Sequence, residues 1–169
     1  ERHLGEFLAP AGTDPALLRA AATARLLTQE ADARDAAATS NDPSSPWAIA
    51  DGWRLGHGGT RRLAFADGDT TIDLVVHGHD GEYRIERDGG THAVSGARLQ
   101  AGELSLRIDG AMQRFSARAQ DDGVLVHDDR QRLHLRSEAV YRRASEASAA
   151  TEHRIRAPMP GRVVVVQKQ

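Results

Sequence analysis

Tyr83-Arg84-Ile85-Glu86-Arg87-Asp88-Gly89-Gly90 is an alternating apolar–polar run that stops at an Asp-Gly turn, and Leu104-Ser105-Leu106-Arg107-Ile108-Asp109-Gly110 repeats the pattern. Successive side chains of a strand point to opposite faces, so a period of two marks a sheet with one buried and one wet face. Val124/Val126 and Leu133/Leu135 carry the same signal. Extended along the chain, it predicts strands at 61–66, 70–77, 82–87, 91–98, 103–109, 112–119, 123–128 and 132–137. Asp67-Gly68-Asp69, Asp80-Gly81, Asp88-Gly89-Gly90, Asp109-Gly110 and Asp122-Gly123 punctuate them. Asp-Gly between alternating segments is a strong hairpin signal, because both residues tolerate the positive φ of a tight turn. Short strands joined this way form an antiparallel meander, and closing it into a barrel removes its exposed edges. The spacings leave no room for crossover helices, which excludes a parallel sheet.

Upstream the period changes. Thr13-Asp14-Pro15 is a helix start, with a capping side chain and a proline that fits the first turn. No Gly or Pro follows from Ala16 to Thr39, so a helix is expected over 14–39, about 35 Å long. Leu17, Leu18, Ala21, Ala22, Ala24, Leu26 and Leu27 leave only a thin polar stripe around Arg19, Thr23 and Arg25. So wide an apolar face belongs to a helix buried on most sides. Gln29 to Asp35 is more polar and is expected to emerge into solvent.

The strands themselves are short of bulk: Phe65, Tyr83 and Phe115 are their only aromatic residues. An eight-stranded barrel so lined would be underfilled, and the alanine–leucine helix is the filler at hand. The expected fold is therefore α+β and mainly β. A long N-terminal helix is enclosed by an eight-stranded antiparallel up-and-down β-barrel over 61–137.

With 22 basic and 24 acidic side chains in 169 residues, the net charge of −2 makes no electrostatic case for nucleic acid or an anionic membrane. There is no cysteine, which removes disulfides, thiolate metal sites and thiol nucleophiles, and suits the cytoplasm. No apolar run approaches the roughly 18 residues of a membrane-spanning helix. Glu1-Arg2-His3-Leu4-Gly5-Glu6-Phe7-Leu8 lacks the apolar run of a signal peptide and reads as part of something longer.

Candidate chemistry is sparse. His77 and His79 share one strand face at a spacing some metal sites use, but they run into the Asp80-Gly81 turn, where solvated histidines are the simpler reading. Gly56-His57-Gly58-Gly59 has the outline of an oxyanion loop, yet no Gly-x-Ser-x-Gly elbow accompanies it, and a turn before Arg61 explains it. Trp47 and Trp53 fall within nine residues of each other, after the breaker run Ser40-Asn41-Asp42-Pro43-Ser44-Ser45-Pro46. Either they plug the barrel end, or they form a contact loop, since tryptophan is enriched at interface hot spots.

Toward the end of the chain, Ala144–Glu152 has the small polar composition of a linker. Beyond it, Ala157-Pro158-Met159-Pro160-Gly161 and the valines 163–166 resemble the opening of a biotinyl domain. No Met-Lys pair follows, and the only lysine is Lys168. Glu1-Arg2-His3-Leu4 is similar to the tail of a biotin carboxylase domain, and Ser45-Pro46-Trp47 with Asp51-Gly52-Trp53-Arg54-Leu55 is similar to the 3-methylcrotonyl-CoA and geranyl-CoA carboxylase branch. The order as a whole resembles the biotin-containing α-subunits of acyl-CoA carboxylases.

That resemblance implies four parts. Residues 1–10 would be the tail of a biotin carboxylase domain and 11–143 the BT domain, which links biotin carboxylase to carboxyltransferase. Residues 144–152 would be a linker and 153–169 the first strand of a biotinyl domain. It implies a helix inside a barrel, no catalytic residue, and docking on the carboxyltransferase β-subunit within a hetero-oligomer. The hook would be residues 40–56, with Trp47, Ile49, Trp53 and Leu55 as contacts. No cofactor would bind the BT domain itself: biotin would sit on a lysine beyond this chain, and ATP and Mg in the parent biotin carboxylase domain. The compartment would be the bacterial cytoplasm, or alternatively the mitochondrial matrix. A second reading, from the strand meander alone, is a lipocalin-like barrel for a small molecule, and the discriminator is whether the interior is open or filled by the helix.

Overall fold

The structure, a computed structural model, describes residues 14–42 and 59–138. Helix α1 runs from Pro15 to Ala38. Eight strands follow: β1 (Thr60–Asp67), β2 (Thr70–His79), β3 (Glu82–Arg87), β4 (Gly90–Gln100), β5 (Glu103–Ile108), β6 (Ala111–Gln120), β7 (Gly123–His127) and β8 (Arg132–Glu138). Each pairs antiparallel with the next, and β1 pairs with β8 through Ala64 to Ala66, so the meander closes into an up-and-down barrel.

The turns account for the order. Asp80-Gly81, Asp88-Gly89 and Asp109-Gly110 all have positive φ at both residues, the geometry of a two-residue hairpin whose twist matches its strands. Ala101-Gly102 adopts the same shape without a sequence signal, since alanine rarely takes a φ of 49°. At Asp121-Asp122 neither φ is positive, and Gly123 already belongs to β7. A Cβ on Gly123 would overlap the Leu135 carbonyl oxygen, so this glycine serves close strand approach rather than the turn. In β4 the register slips between Ser95 and Arg98, with Gly96 in the left-handed region. Such a bulge bends the sheet where the barrel must curve.

The helix begins where expected. The Asp14 carboxylate accepts the Ala16 N–H at 2.7 Å, and Pro15 needs no partner for a missing N–H. Leu17, Leu18, Ala20, Ala21, Ala22, Thr23, Ala24 and Leu26 are all buried. At about 100° per residue, these eight positions surround the axis with no gap wider than about 60°. A helix buried on every side is enclosed, and it packs on β6, β7, β4, β2, β5 and β8. Its narrowest stretch, Ala20 to Ala24, carries nothing larger than threonine. Small side chains are what let a helix fit a barrel of this strand number, whose interior otherwise suits side chains alone.

Thr23, expected on a polar stripe, is instead fully buried, and its hydroxyl donates to the Arg19 carbonyl at 2.8 Å. A threonine can bury itself this way because the helix supplies its acceptor. Facing the helix are Val76, Ile85, Leu104, Leu106, Val124, Val126 and Leu135, which complete one continuous core. The lumen of a ligand-binding barrel is therefore occupied by the chain's own helix, which counts against the lipocalin-like alternative.

Candidate functional site

The four residues expected to contact a partner, Trp47, Ile49, Trp53 and Leu55, lie outside the described residues, as do the linker 144–152 and the segment 153–169. The structure does show how the elements on either side of that loop are tied together. The helix leaves the barrel at the mouth bearing the β2–β3 turn, and β1 starts at the same mouth. Glu30 of the helix and Arg61 of β1 meet there at 2.7 Å.

Sequence patterning placed Glu30 in a segment emerging into solvent, but it is only 4% exposed. Its burial is tolerated because donors surround it: Arg61 on Oε1, and on Oε2 the Tyr83 hydroxyl and the Asp80 N–H, each at 2.9 Å. The Arg61 guanidinium also donates to the Gly78 carbonyl at 2.7 Å and lies 5.6 Å from the centre of the Tyr83 ring. Arg34, one turn beyond Glu30 and largely exposed, reaches Asp80 at 3.2 Å. The helix goes into solvent only from Ala31.

Two further polar contacts pin the helix. Arg25 donates to the Gln120 carbonyl at 2.6 Å, again at this mouth. Arg19, on the polar stripe, makes its contact at the opposite end, 3.0 Å from His92 Nε2. A guanidinium can only donate, so His92 Nε2 accepts and Nδ1 carries the proton toward Asp109, 2.7 Å away. The His92 hydrogen bond, with help from the Ala93 N–H, holds the Asp109 carboxyl below the usual carboxylate range. An alanine-rich helix in an apolar tube has no shape of its own to stop it sliding or turning. Polar contacts at both ends set its register, a role for which buried polar groups are best attested.

Burial, reinforced by the neighbouring Glu30 charge, pushes the Tyr83 hydroxyl well above the ordinary tyrosine value. A folded state that keeps a proton the unfolded chain gives up loses stability as pH rises. Tyr83 should therefore contribute fully below about pH 10, the unfolded tyrosine value, and progressively less above it. The expected result is a urea midpoint that falls above about pH 10 in the wild type and falls less steeply in Tyr83→Phe. Parallel curves would show that Tyr83 titrates normally.

Elsewhere the two histidines at candidate metal spacing have ordinary partners. His77 sits 3.3 Å from Thr60 Oγ1 and 3.4 Å from Glu86, and His79 sits 2.9 Å from Asp80. Among the described residues no three His, Cys, Asp or Glu side chains are grouped to hold a metal. A helix of the described residues long and apolar enough to cross a membrane is likewise absent.

The family model for the BT domain of the methylcrotonyl-CoA carboxylase α-subunit matches residues 13–140, three quarters of the chain. The chain belongs to this family. No curated protein matches it. The BT domain so identified covers the helix, the loop and the whole barrel, and it is part of a biotin-dependent carboxylase α-subunit.

Sequence reasoning missed the Glu30–Arg61–Tyr83 cluster at the mouth of the BT domain. One signal was available. Tyr83 falls on the inward face of β3, in phase with Ile85, and a buried phenol needs an acceptor.

Proposed function

We propose that this BT domain is a non-catalytic assembly module that docks the carboxylase α-subunit onto the carboxyltransferase β-subunit through the loop 40–56. Trp47, Ile49, Trp53 and Leu55 are its contact residues in this reading. The observation that carries it is the filled barrel. With the helix inside, no lumen remains for a substrate, and the polar cluster at one mouth ties together the helix and β1, the two elements that flank the loop. Membership of the BT family supports the same direction. The cofactors of the reaction belong to neighbouring domains: biotin on a lysine of the biotinyl domain, ATP and Mg in the biotin carboxylase domain. The acyl-CoA, whether 3-methylcrotonyl-CoA, geranyl-CoA or another, is selected by the carboxyltransferase. A bacterial cytoplasm or a mitochondrial matrix suits such an enzyme.

Mixing the purified chain with its cognate β-subunit tests the proposal. Co-elution on gel filtration at micromolar concentration is the expected result; two separate peaks would refute it.

A further inference from the structure

The outer faces of the barrel differ in charge. On the β2–β3 wall the charges are matched: His77 with Glu86 at 3.4 Å, Arg84 with Glu86 at 3.8 Å, and Arg87 with Asp88 at 2.8 Å. On the β6–β7–β8 wall they are not. Strand register sets Arg118, Leu125 and His134 side by side, flanked on β7 and β8 by His127 with Arg132 and by Gly123 with Arg136. Arg118, Arg132 and Arg136 are exposed, and none has a carboxylate within 4.0 Å among the described residues. Leu125 is half-buried at the centre, and three shallow depressions meet at it, lined by Arg118, His127, Arg132 and His134 and, toward the ends of β7, by Asp122, Asp128 and Asp129.

We propose that this wall is a second docking surface of the BT domain, for an acidic surface of a protein partner, with an apolar side chain seated at Leu125 and carboxylates on Arg118 and Arg132. Arginine fits the role, since its planar fork takes a carboxylate bidentately and stays charged. Arginine is also enriched at protein interfaces, whereas lysine is depleted. The neighbouring segments of this chain are poor candidates for the partner: residues 139–169 hold six basic side chains and two acidic ones, residues 43–58 hold one of each, and residues 1–13 hold only Glu1 and Glu6 against Arg2. A nucleic acid is disfavoured too. The chain's net charge of −2 offers no broad basic face for a phosphate backbone.

The proposal rests on the docking reading above, with the carboxyltransferase β-subunit as the partner, and its test keeps the two separable. The probe is the cognate β-subunit, titrated at several salt concentrations with the wild type, with Arg118→Glu/Arg132→Glu and with Arg84→Glu on the opposite wall. The expected result is Kd raised about tenfold or more by the double reversal, a flatter salt dependence, and little change for Arg84→Glu. Arg118→Ala/Arg132→Ala, with Tm measured for each, guards against a folding defect and should weaken binding less than the reversal does. Wild-type affinity in the double reversal, or an equal loss in Arg84→Glu, overturns the second surface while leaving loop docking intact. Failure of the wild type to bind overturns both. Self-association of the chain, or binding to heparin with none to the β-subunit, that the double reversal abolishes would assign the wall to another partner and overturn the proposal.

Discussion

Leu26→Asp is expected to leave the chain without a cooperative thermal transition. Leu26 is fully buried on the helix inside the barrel. Truncating a buried leucine already costs about 2–5 kcal/mol. An aspartate there adds the cost of a carboxylate with no donor, on the order of several kcal/mol even if it protonates. Together these approach the whole stability of an ordinary domain, about 5–15 kcal/mol. Leu18→Asp, one end of the same buried stretch, should behave alike. Met112→Asp is the matched control, because Met112 is 58% exposed on the outer surface. Circular dichroism melts read the difference: a normal transition for Met112→Asp and none for Leu26→Asp. A Leu26→Asp protein melting within a few degrees of wild type would mean that the helix is not the core.

Glu30→Ala has the second largest expected effect. It removes the acceptor of the Tyr83 hydroxyl, the Asp80 N–H and one Arg61 bond together. Breaking a buried ion pair by deleting one partner costs about 3–5 kcal/mol, because the other charge stays behind in a dry site. Tyr83→Phe removes one donor and leaves the carboxylate served by the others, so about 1 kcal/mol is expected. Melting temperatures should rank wild type, Tyr83→Phe and Glu30→Ala in falling order, with Glu30→Ala lower by about 10 °C or more. If Glu30→Ala melts with the wild type, the cluster does not hold the helix exit.

The barrel was legible in the sequence because its turns announce themselves. Asp-Gly pairs fix three of the hairpins locally, the period of two carried the other strand boundaries to within a few residues of the structure, and Asp14-Pro15 marked the helix start. Ala101-Gly102 escaped because alanine in a left-handed turn is set by its strands rather than by its own preference. The enclosed helix was legible from its breadth of apolar residues and from the scarcity of bulk in the strands. The polar cluster was not, because periodicity treats a carboxylate as solvent-seeking and Glu30's partners lie on β1, the β2–β3 turn and β3, far along the chain. Thr23 was misplaced for a related reason: a polar residue on the enclosed part of a helix has no solvent side, and only the fold shows which acceptor it meets. The unmatched arginines of β6 and β8 needed the strand register before they formed one face.

The measurement that bears most directly on an assembly role is a paired one on Trp47→Ala: its melting temperature, and its Kd for the cognate carboxyltransferase β-subunit. A side chain that anchors a partner contributes little to the isolated domain and much to the complex, about 2 kcal/mol or more at a hot spot. Trp53, next to the start of the barrel in the sequence, is the comparison, and Trp53→Ala should lower the melting temperature. For Trp47→Ala the expected result is an unchanged melting temperature with binding weakened about thirtyfold or more. Unfolding of Trp47→Ala, or wild-type affinity for the β-subunit, would contradict docking through this loop.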